Sequence, residues 1–257
     1  MRRLFLSDVH LSPLEPARSA RFVGFLRREA PRTDELYILG DLFDYWIGPK
    51  HLRLADYQEA FDALRTLVQR GVRVVFLHGN RDFYMGPKFQ EALGVETHAD
   101  ALDLRGSGGR VHLCHGDGLC LRDRSTRRAQ AIIRSKVVEA IFTRLPVGLA
   151  KFLAQGYRRH SRRVTALKSR RRLAPAQEAV LGLFAAGVDV IVCGHVHRPA
   201  KHTWQIDGRE KVLFILGDWS EGASYLVEEG GRWRLYGEPD RSAKKDSGRT
   251  GGHSTTA

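Results

Sequence analysis

An α/β architecture is what this sequence predicts, and three observations predict it. Short apolar runs bounded by turn residues recur, stretches with helical spacing lie between several of them, and polar ligand-type residues follow the runs almost at once. The runs are Leu4 to Leu6, Leu36 to Leu39, Val72 to Leu77, Val111 to Cys114, Val188 to Cys193 and Val212 to Leu216, each with the length and composition of a buried strand. Between them, Phe22, Phe25 and Leu26, then Ala60, Leu64, Leu67 and Val68, then Val180, Leu183 and Phe184 keep to one helical face.

The residues that follow the strands carry the chemistry. Asp8-Val9-His10, Gly40-Asp41, Gly79-Asn80-Arg81-Asp82, His115-Gly116-Asp117 and Gly194-His195-Val196-His197 each begin within a residue or two of a predicted strand end. In open α/β sheets ligands bind beyond the carboxyl ends of the strands, so five segments from distant parts of the chain can meet there. Carboxylates, imidazoles and one amide suit Mn²⁺, Zn²⁺ or Fe²⁺ better than an all-oxygen Ca²⁺ cage. Two such ions about 3.5–4 Å apart can supply a nucleophile at neutral pH and stabilise an in-line phosphoryl displacement, with Asp41 as the bridging carboxylate. Taken singly, each segment also reads as an ordinary turn or strand end, since Gly, Asn and Asp all favour turns. A bland reading of all five requires five separate coincidences.

Composition sets the remaining bounds. The 257 residues can bury one sizeable core, and the expectation is one domain over 1–239 followed by a disordered tail over 240–257 rich in Ser, Gly, Thr and Lys. Lys and Arg total 42 against 29 acidic residues, a formal charge of +13 that favours an anionic partner. Three cysteines, Cys114, Cys120 and Cys193, are too few and too irregular for a disulfide framework or a zinc ribbon. Ser7-Asp8 follows too soon after Met1-Arg2-Arg3 for a secretory leader, and no apolar stretch is long enough to span a bilayer.

One region breaks the alternation, from about 119 to 173, and reads as a helical insertion. Ala129, Ile132, Ile133, Val137, Ala140, Ile141 and Leu145 keep helical spacing up to Pro146; Leu149, Phe152, Leu153, Gly156 and Tyr157 resume it. Eight of the fifteen residues from 158 to 172 are basic, a run that fits either an anion-facing surface or a solvated face.

The ordered series Asp8-x-His10, Gly40-Asp41-x-x-Asp44, Gly79-Asn80-Arg81-Asp82, His115-Gly116-Asp117 and Gly194-His195-x-His197 resembles the calcineurin-like metallophosphoesterases. That resemblance implies a four-layer sandwich of two central sheets flanked by helices. It also implies two metal sites, Asp8, His10, Asp41 and His197 on one and Asp41, Asn80, His115 and His195 on the other. Asp41, Asn80 and His115 would then be catalytic. Leu36 to Phe43, Trp46-Ile47-Gly48, His78 to Phe83, His115-Gly116-Asp117-x-Leu119-Cys120, His197-Arg198-Pro199-Ala200 and Leu216-Gly217-Asp218-Trp219 are further similar to the UDP-2,3-diacylglucosamine hydrolase family of lipid A biosynthesis.

Membership in that family implies hydrolysis of UDP-2,3-diacylglucosamine to UMP and 2,3-diacylglucosamine 1-phosphate, lipid X, by attack of metal-activated water on the α-phosphorus. It further implies two divalent ions, Mn²⁺ by family habit, and an acyl-binding lid at the insertion. The carried-over substrate contacts are Asn80, Arg81, Asp123, Ser161, Thr165, Lys168 and His195. Thr165 stands where an amide side chain is usual, and Asp44 where glutamate is frequent. The implied location is cytoplasmic, peripheral on the anionic cytoplasmic face of the inner membrane, with no nucleic-acid partner. Two rival readings are a nuclease or nucleotide phosphodiesterase on the same fold and a non-catalytic scaffold. The few aromatics of the insertion argue against the first and a complete ligand set against the second.

Overall fold

A computed structural model describes residues 1–82, 84–106, 108–120, 135–166 and 174–237. Its strands form two sheets. The first takes β1 (Arg2–Leu6), β2 (Glu35–Ile38), β3 (Arg73–Leu77), β4 (Glu96–His98), β10 (Tyr225–Glu229) and β11 (Arg232–Tyr236), in the order β11-β10-β1-β2-β3-β4. The second takes β5 (Ala101–Gly106), β6 (Gly109–Cys114), β7 (Val190–Cys193), β8 (Ala200–Ile206) and β9 (Arg209–Ile215), in the order β5-β6-β7-β9-β8. β1 through β4 pair in parallel, as do β6, β7 and β9, so their carboxyl ends share an edge.

Parallel strands buried on both faces need continuous apolar runs, and these have them. Phe5, Tyr37, Val75 and Leu77 face Val111, Leu113, Val192 and Phe214 between the sheets. The other face of the first sheet is covered by α1 (Pro16–Arg28), α2 (Gln58–Gln69) and α3 (Pro87–Leu93), through Phe22, Leu26, Phe61, Leu64 and Phe89. The outer face of the second sheet packs on Val180 and Phe184 of α6 (Gln177–Ala185). Helix, sheet, sheet and helix thus give the four expected layers.

All six predicted strands form. The five unforeseen ones include the sheet edges β5, β8 and β11, where exposed polar positions dilute the apolar signal. Ion pairs gather at the starting edge of the strands: Arg3 with Glu35 and Glu228, Arg73 with Glu35 and Glu96, and Lys211 with Asp189.

The described part of the insertion supplies α4 (Lys136–Arg144) and α5 (Val147–Ala166), separated at Pro146 as expected. The earlier stretch, with Ala129, Ile132 and Ile133, lies outside the described residues. The contact face of α5 was not foreseen: Ala150 and Ala154 bury against Tyr45 and Ile47, whereas Leu149, Phe152 and Leu153 are exposed. The smaller residues seat the helix close, and the larger ones face away from that contact.

The loop after β2 is held by a ring cluster around His51. Its imidazole is fully buried, with the rings of Tyr57, Trp46 and Phe43 at 4.3, 4.6 and 5.0 Å between centroids. Neither ring nitrogen has a hydrogen-bond partner among the described residues. Burial, with a smaller contribution from Lys151, lowers the His51 pKa to about 3. An unfolded chain takes up the proton near the ordinary value of about 6.5, whereas the fold resists it, so stability is fully present above that pH and falls as acid is added. The loss is steepest at about 1.4 kcal/mol per pH unit. Urea unfolding between pH 6.5 and 4 should therefore show a slope that His51→Phe flattens; an unchanged slope in that variant would assign the acid sensitivity elsewhere.

Candidate metal centre

Each sheet ends its strands with a sharp reversal, and the ligand-type residues occupy the reversals. Asp8, His10, Asp41, His195 and His197 all have left-handed backbones, with φ of 54°, 54°, 53°, 70° and 63°. Residues with a Cβ seldom adopt this conformation, and it persists where surrounding bonds over-determine it. Here the bonds are explicit. The Asp8 and His10 amides donate to the Gly40 and Asp41 carbonyls at 3.2 and 3.0 Å, joining the loops after β1 and β2. The His195 amide donates to Asp8 Oδ2 at 2.7 Å, tying the second sheet to the first.

Glycines permit the close approach. A Cβ on Gly79 would lie 2.3 Å from both the backbone nitrogen and Oδ1 of Asp41, and one on Gly194 would lie 2.1 Å from Ser7 Oγ. Asp82, fully buried, accepts from the Gly79, Asp41 and Leu42 amides at 3.0, 3.1 and 2.7 Å. Burial raises its pKa to about 6, with Asp41 adding to the rise. It is the carboxylate that shapes the loop, a role which the Gly-Asn-Arg-Asp segment does not reveal by itself.

Asp8, His10 and His197 bring one ligand atom each within 4.8 Å of one another, and so do Asp8, Asp41 and His115. Asp8, rather than Asp41, is common to both groupings, while His10 Nδ1 stands 4.0 Å from Asp41 Oδ2. The Asn80 amide abuts both Asp41 oxygens at 2.8 and 2.5 Å: its nitrogen can donate to them, or its oxygen can join them around a cation. His195 Nδ1 lies 3.3 Å from His115 Nε2, which completes the group. His115 Nδ1 donates to the Leu39 carbonyl at 2.8 Å and thereby aims Nε2 at the cluster. His197 Nδ1 meets Asp218 Oδ2 at 3.2 Å, which leaves its Nε2 facing Asp8.

The donor set fits divalent metal on two counts. Asp8 Oδ1 and both nitrogens of His10 are buried and without a hydrogen-bond partner among the described residues, an arrangement that costs free energy unless a cation takes their lone pairs. The local field also favours positive charge. Burial opposes protonation of His115, yet Asp41, Asp8 and Asp117 overcome it and raise the pKa to about 9. Burial and neighbouring cations keep His10 low, and burial with His115 lowers His195 to about 4, so both favour the neutral ligating form. Burial raises the pKa of Asp41.

Residues 1–199 match the family described as Calcineurin-like phosphoesterase. The chain belongs to that family. A protein of Aeromonas salmonicida named UDP-2,3-diacylglucosamine hydrolase is 40% identical over 241 residues, 91% of this chain and 92% of its own length. One of the same name from Nitrosococcus oceani is 38% identical over 88% of this chain and 90% of its own. Among solved structures, a dimetal phosphatase from Danio rerio aligns over 92% of this chain and 95% of its own, with 14% identity and a TM-score of 0.48. As a calcineurin-like phosphoesterase, the chain is a metal-dependent hydrolase.

The fold brings Asp8, His10, Asp41, Asn80, Arg81, His115, His195 and His197 together. Arg81 turns away from its neighbour Asp82. Its Nε meets Asp41 Oδ2 at 2.9 Å, and its Nη1 is 3.7 Å from Asp44. Arg158 of α5 also binds Asp44, through Nε at 2.6 Å, so one basic residue of the insertion anchors beside the site. Ser161 lines a cavity with Asn80 and Arg81. Thr165 falls in the last turn of α5, its side chain outside the described residues, as are Asp123 and Lys168 entirely. Burial pushes the Cys114 thiol up to about 12 and raises the Cys193 thiol well above its ordinary value, which disfavours either as a thiolate ligand.

Gly79→Ala tests the close approach. The added methyl should displace Asp41, lower metal-dependent turnover more than about 100-fold, and abolish the rise in Tm expected of the parent protein on addition of a divalent metal. Retention of both would show that the loop accommodates a Cβ.

Proposed function

We propose that this phosphoesterase hydrolyses the diphosphate of UDP-2,3-diacylglucosamine, giving UMP and 2,3-diacylglucosamine 1-phosphate. The observation that carries the substrate is an apolar cavity of 310 Å³ beside the ligand cluster. Tyr45, Trp46 and Tyr84 form one wall, Val138, Phe142, Leu153 and Ala154 of α4 and α5 the other, and Asn80 and Arg81 stand at its polar end. A two-chain lipid sugar bearing a diphosphate has that distribution of apolar and charged parts. The names of the relatives support the same substrate.

Asp8, His10, Asp41 and His197 would hold one metal, and Asp41, Asn80, His115 and His195 the other. When bound, two divalent cations, Mn²⁺ in this proposal, supply a water made nucleophilic at neutral pH and compensate charge on the phosphoryl oxygens. The protein's part is orientation. Arg81 exchanges its contact with Asp41 for the diphosphate, whose oxygens suit the two-pronged guanidinium. Asn80 and His195 donate to the phosphoryl oxygens, Asp218 keeps the His197 ring turned, and the cavity shields the acyl chains from water. Asp123, Ser161, Thr165 and Lys168 are assigned to the sugar headgroup.

No helix among the described residues is long and apolar enough to cross a membrane. The exposed Val137, Ile141, Leu149 and Phe152 of α4 and α5 support a peripheral seat on the anionic cytoplasmic face of the inner membrane.

Mass spectrometry of the purified protein with Mn²⁺ should detect UMP from UDP-2,3-diacylglucosamine, far less from UDP-glucose, and at least about 100-fold less with Asp41→Ala. Cleavage of DNA with the lipid nucleotide left untouched would establish the nuclease alternative instead.

A further inference from the structure

A second cavity, of 570 Å³, meets the ligand cluster at its other end. It is lined by His197 and Arg198 on one side and by Asp218, Ser220 and Glu221 on the other, from the loop between β9 and β10. It shares no lining residue with the apolar cavity. Contacts running from His197 to Asp8, within one ligand grouping, and from Asp41 to Arg81 place the cluster between the two openings.

The floor of this cleft is built rather than incidental. A Cβ on Gly217 would fall 2.7 Å from Pro199 Cδ, and one on Gly237 would fall 2.8 Å from the Ala223 carbonyl oxygen, so both glycines permit close packing beneath it. Ser224 Oγ accepts from the Gly217 amide at 2.9 Å and fixes the loop. Ser220 Oγ donates to Asp218 Oδ1 at 2.7 Å, while Asp218 Oδ2 holds His197. The loop is therefore braced against a ligand residue.

We propose that this cleft seats the nucleoside of the nucleotide half of the substrate, its α-phosphate directed past His197 into the cluster. The assignment rests on the substrate proposed above. A diphosphate joining a lipid sugar to a nucleotide must send its two halves out of the site by different routes, and the apolar cavity suits only the lipid. The lining chemistry selects the nucleoside within the polar half. Carboxylates at Asp218 and Glu221 repel a phosphate but accept from the two ribose hydroxyls, and Arg198 can donate to the carbonyls of a pyrimidine. A free anion would find two negative charges there.

Gly222 lines the cleft, and a Cβ on it would meet nothing within 4 Å, so Gly222→Trp can fill the space without disturbing the floor. Calorimetry of UMP with the Mn²⁺-loaded protein, which needs no turnover, should show binding weakened about tenfold in Gly222→Trp and also in Glu221→Gln. Affinity for 2,3-diacylglucosamine 1-phosphate should stay within about twofold. Unchanged UMP affinity in both variants, equal weakening toward both products, or no UMP binding by the parent protein would each overturn the proposal. A parent that binds UMP through the cleft but releases none from UDP-2,3-diacylglucosamine would overturn the substrate assignment and leave the nucleoside seat standing.

Discussion

Five candidate ligand residues lie in a backbone conformation that side chains disfavour, and the rest of the site follows from how that cost is met. Asp8, His10, Asp41, His195 and His197 turn the chain where β1, β2 and β7 end, so each projects into the space between the sheets' edges. No single bond holds them. The loop after β1 hangs on the carbonyls of the loop after β2, and that loop hangs on the Asp82 carboxylate after β3. The loop after β7 is fastened to Asp8 through the His195 amide. Such interlocked reversals resist local relaxation, because moving one ligand displaces the backbone partner of another.

Electrostatics follows from the same geometry. Crowding Asp8, Asp41 and Asp82 into a buried edge makes the cluster attract positive charge, and two basic side chains answer it. His115 is drawn toward its protonated form, and Arg81 folds onto Asp41.

Much of this was legible in sequence because the site residues follow apolar strands directly. Asp8, Asp41 and His115 each come within two residues of a buried run, and the contrast in polarity marks them. The four layers were legible for the same reason, through the six apolar strands and the helical stripes of α1, α2 and α6. Partnerships across the fold were not. Asp44 with Arg158 and Asp82 with the amides of residues 41 and 42 join segments whose sequence neighbours say nothing of each other. Periodicity in α5 identified a helix with an apolar side but could not show that Ala150 and Ala154 make the contact while Phe152 stays exposed. Propensity reports what a residue can bury, whereas tertiary contacts decide which residue does.

The ion pairs at the starting edge of the strands have a bearing on how the protein responds to its medium. Arg73, Glu96 and Asp103 are partly open to solvent, so dissolved ions weaken their attractions, whereas Asp8 and Asp41 at the finishing edge are sealed from it. Ionic strength therefore acts on the two ends of the same sheets unequally. Salt can loosen the foot of the sandwich while its crown keeps its charge, which separates the protein's tolerance of brine from its hold on metal.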